Sequence, residues 1–287
     1  MCSLVFLQSA DSSLGRLDYA SLSQEALMEM LIEGIENKEK ICGDASEMRE
    51  VNEWNGVELE MEKFHTIHWD NYGLEGSLHW EWTPSTLTVF SVCKNKLVST
   101  IDLSILPASV RHLSLNYNRF NGSICLKDLP KEIDSVNLSL NQLIGSLDLR
   151  DLPASLKNLL AFSNKFTGGI DLTRLPAELT KLDLSYNALS GTVELGDLPK
   201  GLKYMRIDNN NFSGPLNLTS LPDGMVELHV NRNSFSGPVD FMHLPDEMRF
   251  IDLRSNQLCG EATIPRKSRT TVCIARNDLT LQKVEKL

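Results

Sequence analysis

The sequence predicts an α/β-type solenoid, mainly parallel β: a right-handed horseshoe with about ten inner strands behind a helical N-terminal cap. Three observations predict it. Pro84, Pro107, Pro130, Pro153, Pro176, Pro199, Pro222 and Pro245 recur every 23 residues without insertion or deletion. Eleven residues after each proline stands an asparagine: Asn95, Asn118, Asn141, Asn164, Asn187, Asn210, Asn233 and Asn256. Four residues later comes a glycine, at 122, 145, 168, 191, 214, 237 and 260, with Ser99 alone breaking the column.

Each column has a mechanical reason. The alternation Leu182-Asp183-Leu184 is a short strand with one face inward, and successive units set such strands side by side in one parallel sheet. Asparagine carries both an amide donor and a carbonyl acceptor, so a column of them predicts a ladder pairing backbone groups that the turn leaves open. Glycine permits the tight bend. The IxL element after it suggests a minor outer strand, and proline fixes the return.

These columns spell LPxxLxxLxLxxNxLxGxIxLxx, as in residues 175–197 with Leu179, Leu182, Leu184, Asn187, Leu189, Gly191, Val193 and Leu195. This unit resembles a leucine-rich repeat and extends over residues 61–279. The GxI element is similar to plant-type and protist repeats, and the LPxxL opening to the bacterial effector type. The segment Trp54-Asn55-Gly56-Val57-Glu58-Leu59 resembles the WxGVxC cap of plant-type repeats, with Leu59 in place of the cysteine that secreted caps pair. The resemblance implies a binding scaffold shared by receptors, inhibitors and adaptors.

A stack exposes its end cores, so atypical end units are expected. The chain divides into an acidic N-terminal cap at 1–60, repeats at 61–264, and a terminal capping repeat with a basic tail at 265–287. Ser21 to Ile35 reads as a helix, with Ser21 and Gln24 as a capping box. Trp54, Trp69, Trp80 and Trp82 all fall at the entrance, where they seal an open core edge. Tyr72 stands where the first asparagine belongs. Val272, Ile274, Asn277 and Leu279 repeat the pattern once more, predicting a last inner strand and a charged tail.

Charge is uneven. The net −10 of the chain resides in residues 1–62, with fourteen Asp and Glu against four Lys and Arg. No broad basic face suits nucleic acid, and no apolar run suits membrane insertion. Six cysteines, Cys2, Cys42, Cys93, Cys125, Cys259 and Cys273, show no CxxC pair and no disulfide spacing. Met1 to Gln8 lacks the length and basic start of an export signal. These features predict a cytoplasmic protein. The sequons at Asn121, Asn137, Asn211 and Asn217 would matter in an exported one.

Function is expected between the core leucines, where residues face the concave side. One column runs His68, Ser91, Ser114, Asn137, Leu160, Asp183, Arg206, His229 and Asp252. Its neighbour runs Asp70, Cys93, Asn116, Ser139, Phe162, Ser185, Asp208, Asn231 and Arg254. Leu160 and Phe162 stand where other units are polar, flanked by Tyr117, Leu140 and Tyr186, the pattern of an interface anchor. Arg206, Asp208, His229, Asp252 and Arg254 add specificity at the rim or satisfy one another as an ion-pair ladder.

No nucleophile with a base, phosphate loop or metal-ligand set emerges. The expectation is therefore a monomeric, non-catalytic scaffold, without cofactor or metal, that binds a protein or peptide on its concave sheet. Two alternatives differ in class: a structural subunit contacting through its ends or convex side, and an extracellular receptor-like ectodomain.

Overall fold

A computed structural model describes residues 19, 22–44 and 49–284. Its largest sheet has eleven strands, the first of which, Val57–Glu60, pairs antiparallel with Lys63–His68. From there ten parallel strands follow in chain order to Thr271–Cys273. Each regular unit contributes three residues, as in His112–Ser114, Asn158–Leu160 and Tyr204–Arg206.

The asparagines point inward and bind neighbouring turns together. Asn118 Nδ2 donates to the Val92 carbonyl of the preceding turn at 2.8 Å and to Leu115 of its own at 3.2 Å, while its Oδ1 accepts from Leu97 N at 3.0 Å. The arrangement recurs through Asn277, which reaches Leu253 O at 2.8 Å and Ile274 O at 2.9 Å and accepts from Leu258 N at 3.1 Å. Beside this ladder the leucine columns and Phe120, Phe166, Phe212 and Phe235 form a continuous buried core.

The minor strand lies elsewhere than expected. It covers the residues leading into the glycine, as in Gln142–Gly145 and Ala188–Gly191, and these build an eight-stranded second sheet. The IxL element instead runs past the glycine into short 3-10 turns in three units, Trp80–Trp82, Leu103–Ile105 and Leu126–Asp128. The reason is the glycine itself. At φ +79° Gly122 reverses the chain, so pairing with the next turn is complete by the bend, whereas the last minor strand, Gln257–Pro265, runs on through Gly260.

The first helix is shorter than predicted, Gln24–Leu31, and its cap is Ser23, whose Oγ accepts from Ala26 N at 3.2 Å. Ser21 lies outside the described residues. Gln24, expected to cap, instead accepts from Phe64 N at 3.1 Å and ties the helix to the first turn. Trp54, Trp69 and Trp80 are buried, with Trp80 edge-on to Phe90 at 5.3 Å, so the tryptophans seal the entrance. Asn37 serves the turn that lacks its asparagine at Tyr72: it accepts from Glu75 N at 2.9 Å and donates to Gly73 O at 2.8 Å. At the far end the last inner strand forms as predicted, but the tail continues as a strand, Asp278–Val284, paired with Gln257–Pro265.

Candidate inner-face site

Strand alternation sets what the inner face displays. Leu159, Ala161, Met205 and Ile207 are wholly buried, so Leu160, Phe162, Arg206 and Asp208 project to the opposite, inner side. Register then fixes the neighbours. Leu160 pairs with Asn137 and Asp183, and Arg206 with Asp183 and His229.

Leu160 and Phe162 are half-buried in this sheet. Beside them Tyr117, Leu140 and Tyr186 are exposed, Tyr117 by 56% and Tyr186 by 53%, so the predicted apolar flank is displayed to solvent. All three occupy the left-handed backbone region, at φ 60°, 56° and 55°, where the chain leaves the strand. Asparagine suits that conformation better, and Asn209 holds the same column. Sequence reasoning missed Tyr204, 39% exposed on the same face. It precedes the LxL alternation by one residue, and extending the period-2 pattern one step would have found it.

The polar half of the face divides in two. Asp252 is buried and gripped by Arg254, whose Nε reaches Oδ1 at 2.9 Å and whose Nη2 reaches Oδ2 at 2.6 Å. Burial pushes the Asp252 carboxyl up, but these bonds outweigh it and hold it below the ordinary value. Asp208 is also buried, and there burial prevails: its carboxyl is raised despite a 2.6 Å bond from Asn209 Nδ2 and the nearby charge of Arg206. His229 is half-buried and 3.6 Å from the Glu227 carboxylate. Arg206 is exposed and makes no ion pair among the described residues. A recess of about 430 Å³ lies alongside, lined by Tyr186, Asn231, Arg232, Arg254 and Arg276 among others.

Cys93 shares this face. Burial, then the charge of Asp70, pushes its thiol up to about 11, so it carries no nucleophilic thiolate at neutral pH.

No family model and no curated protein sequence matches the chain. Solved structures do. The ectodomain of the Arabidopsis thaliana receptor kinase GASSHO1/SCHENGEN3, in complex with CASPARIAN STRIP INTEGRITY FACTOR 2, aligns over 90% of this chain with a TM-score of 0.71 and 21% identity. The chain has the leucine-rich-repeat fold. This leucine-rich-repeat chain spans only 33% of that ectodomain. The Arabidopsis receptor kinase HAESA, bound to the peptide hormone IDA and the co-receptor SERK1, aligns over 89% of this chain and 54% of its own, at TM-score 0.55 and 18% identity. A plant ice-binding protein aligns over 90% of this chain and 94% of its own, at TM-score 0.63 and 18% identity.

The cytoplasmic location expected from the sequence is corrected by the first of these likenesses, since the aligned GASSHO1/SCHENGEN3 chain is the ectodomain of a plant membrane receptor kinase. Missing disulfides, one of the grounds for that expectation, do not carry it. Leu59 in place of a cap cysteine marks one absent bond, not a compartment: the cap here is closed by buried Trp54 and by Trp69 Nε1 donating to Asn55 O at 3.0 Å. Cys42, Cys93, Cys125, Cys259 and Cys273 are unpaired, and Cys2 lies outside the described residues. Of the sequons, Asn121, Asn211 and Asn217 are exposed, while Asn137 sits half-buried in an inner strand. Among the described residues no helix is long and apolar enough to cross a membrane.

Proposed function

We propose that this chain is a non-catalytic scaffold, acting as a monomer without cofactor, that holds a protein or peptide on its inner sheet. One observation carries the reading: Tyr117, Leu140, Tyr186 and Tyr204 stand exposed around the half-buried Leu160 and Phe162, in columns that the other turns fill mostly with polar residues. Large amphipathic rings on a rigid support make contact area at small entropic cost, as interface anchors do. Arg206, Asp208, His229, Asp252 and Arg254 border the patch and select among partners. The described residues of the 1–60 cap and of 265–287 close the two ends of the stack, and 61–264 present the face.

The likeness to a receptor kinase in complex with a peptide hormone and to a receptor ectodomain in complex with CASPARIAN STRIP INTEGRITY FACTOR 2 supports the same reading. Peptides selected against the intact chain from a random display library test it. Leu160→Asp with Phe162→Asp should abolish capture of the selected peptides while circular dichroism stays unchanged. Undiminished capture by the folded double variant overturns the inner-face reading.

A further inference from the structure

Among the described residues, four side chains have a buried polar atom without a hydrogen-bond partner: Ser139 Oγ, Asp208 Oδ1, His229 Nε2 and Asn231 Oδ1. Three of the four are adjacent. Asp208 and Asn231 occupy the same position on successive turns, a register held by Asn209 N donating to Asn231 O at 3.0 Å, and His229 lies two residues before Asn231. Ile207 and Val230 are wholly buried, so Asp208, His229 and Asn231 face the inner side, and Asp208 is only 6% exposed. A buried carboxylate oxygen without a donor is costly, and native proteins rarely keep one without a reason.

The surroundings say what would satisfy it. Asp208 Oδ2 is already taken by Asn209 Nδ2 at 2.6 Å, which leaves Oδ1 and Asn231 Oδ1 as two acceptors side by side. Buried Asp183 lies one strand back, with Oδ1 occupied by Ser185 N at 3.1 Å and Ser185 Oγ at 2.6 Å, and Glu227 borders His229. Arg254 is spent on Asp252, and Arg206 extends into solvent. Both unmet oxygens at Asp208 and Asn231 are acceptors, and Asp183 and Glu227 add carboxylates against Arg206, with Arg232 and Arg276 lining the recess at Asn231. The acceptor pair itself is the complement of a group that is all donor and positively charged.

Distance adds a register. Phe162 and Asp208 hold equivalent positions two strands apart, about 10 Å at the usual strand spacing. An extended chain crossing the strands covers that distance in about three residues. We propose that the inner face reads an extended peptide segment in which a lysine or arginine stands three residues from an apolar side chain. The cation docks on Asp208 and Asn231 while the apolar group rests on Leu160 and Phe162. This rests on the inner-face reading above and names the chemistry of its ligand. Burial disfavours the Asp208 carboxylate, and a bound cation offsets that cost.

The test uses synthetic peptides with one leucine or phenylalanine and a Lys, Arg, Gln or Glu placed one to five residues away, titrated against the intact chain by fluorescence anisotropy. Lys or Arg at a separation of three should bind about tenfold tighter than Gln, with Glu weakest. Asp208→Asn, which keeps shape and removes charge, should erase the Lys-over-Gln preference while leaving the residual binding that depends on Leu160 and Phe162. Equal binding of Lys and Gln peptides, indifference to separation, or a preference that survives Asp208→Asn each overturns the inference. If those outcomes come with binding still lost in the Leu160→Asp, Phe162→Asp chain, the inner-face reading stands and only the cation is wrong. If no peptide binds, or the double variant binds as well as the parent, both fall.

Discussion

The asparagine ladder and the inner-face columns lie on the same turns, two residues apart, yet they are built on opposite terms. Asn141 has all its polar valences met by backbone groups: Nδ2 reaches Leu115 O at 3.0 Å and Leu138 O at 3.1 Å, and Oδ1 accepts from Phe120 N at 3.0 Å. Ser139, two residues earlier, is just as buried and its hydroxyl meets nothing among the described residues. One column is the same residue in every regular unit because only that residue closes the backbone account. The other varies from Asp70 to Phe162 to Arg254 because the fold asks little of it. The comparison teaches where selection for folding ends and where room for binding begins.

Breaking the ladder should have the largest effect. Asn141→Ala strands buried backbone groups of two turns and should cost about 3 kcal/mol or more in urea unfolding, with a smaller loss for Asn277→Ala, which lies on the last turn of the stack. Gly122→Ala should cost about 1–2 kcal/mol in the same measurement, since the new methyl would lie 2.8 Å from Thr100 Cγ2 at a φ of +79°. Tyr186→Asn sharpens the comparison from the other side. Its stability should stay within about 0.5 kcal/mol of the parent or rise, because asparagine accepts the left-handed backbone, while capture of selected peptides falls.

The smallest effects are electrostatic and opposite in sign. Asp208 has a raised carboxyl, so the native state holds its proton more tightly, and stability is lost as pH climbs from the ordinary 3.8 through the raised value. Asp208→Asn should therefore unfold at slightly higher urea than the parent at pH 7. Asp252 is lowered by Arg254, so its contribution is present above 3.8 and lost as pH falls through its depressed value. Asp252→Asn should be less stable than the parent at pH 7, with the gap closing in acid. Urea midpoints of the three chains between pH 3 and 7 check both signs.

Most of the fold was legible because its causes are local and repeated: proline, asparagine and glycine each act within one turn, and eight copies made the period plain. The minor strand was misplaced because IxL and LxG both alternate, and sequence does not say on which side of the glycine the chain pairs. The helix start was misplaced because Ser21 and Ser23 are equally good caps, and the choice was made by Gln24 reaching the distant Phe64 amide. Of the site, the apolar pair was visible as a break in polar columns. The contrast between Asp208 and Asp252 was not, since each has an arginine two residues away in sequence, and only the side-chain path of Arg254 closes on its aspartate. Compartment was the poorest guide, because an absent disulfide is compatible with either side of a membrane.

Hydrogen–deuterium exchange on the intact chain, alone and saturated with a display-selected peptide, tests the central claim most directly. The account predicts slowed exchange in residues 158–163, 181–186 and 204–209 of the inner turns, with the outer strands Gln142–Gly145 and Ala188–Gly191 unchanged. Protection confined to those outer strands, or to the ends of the stack, would contradict it.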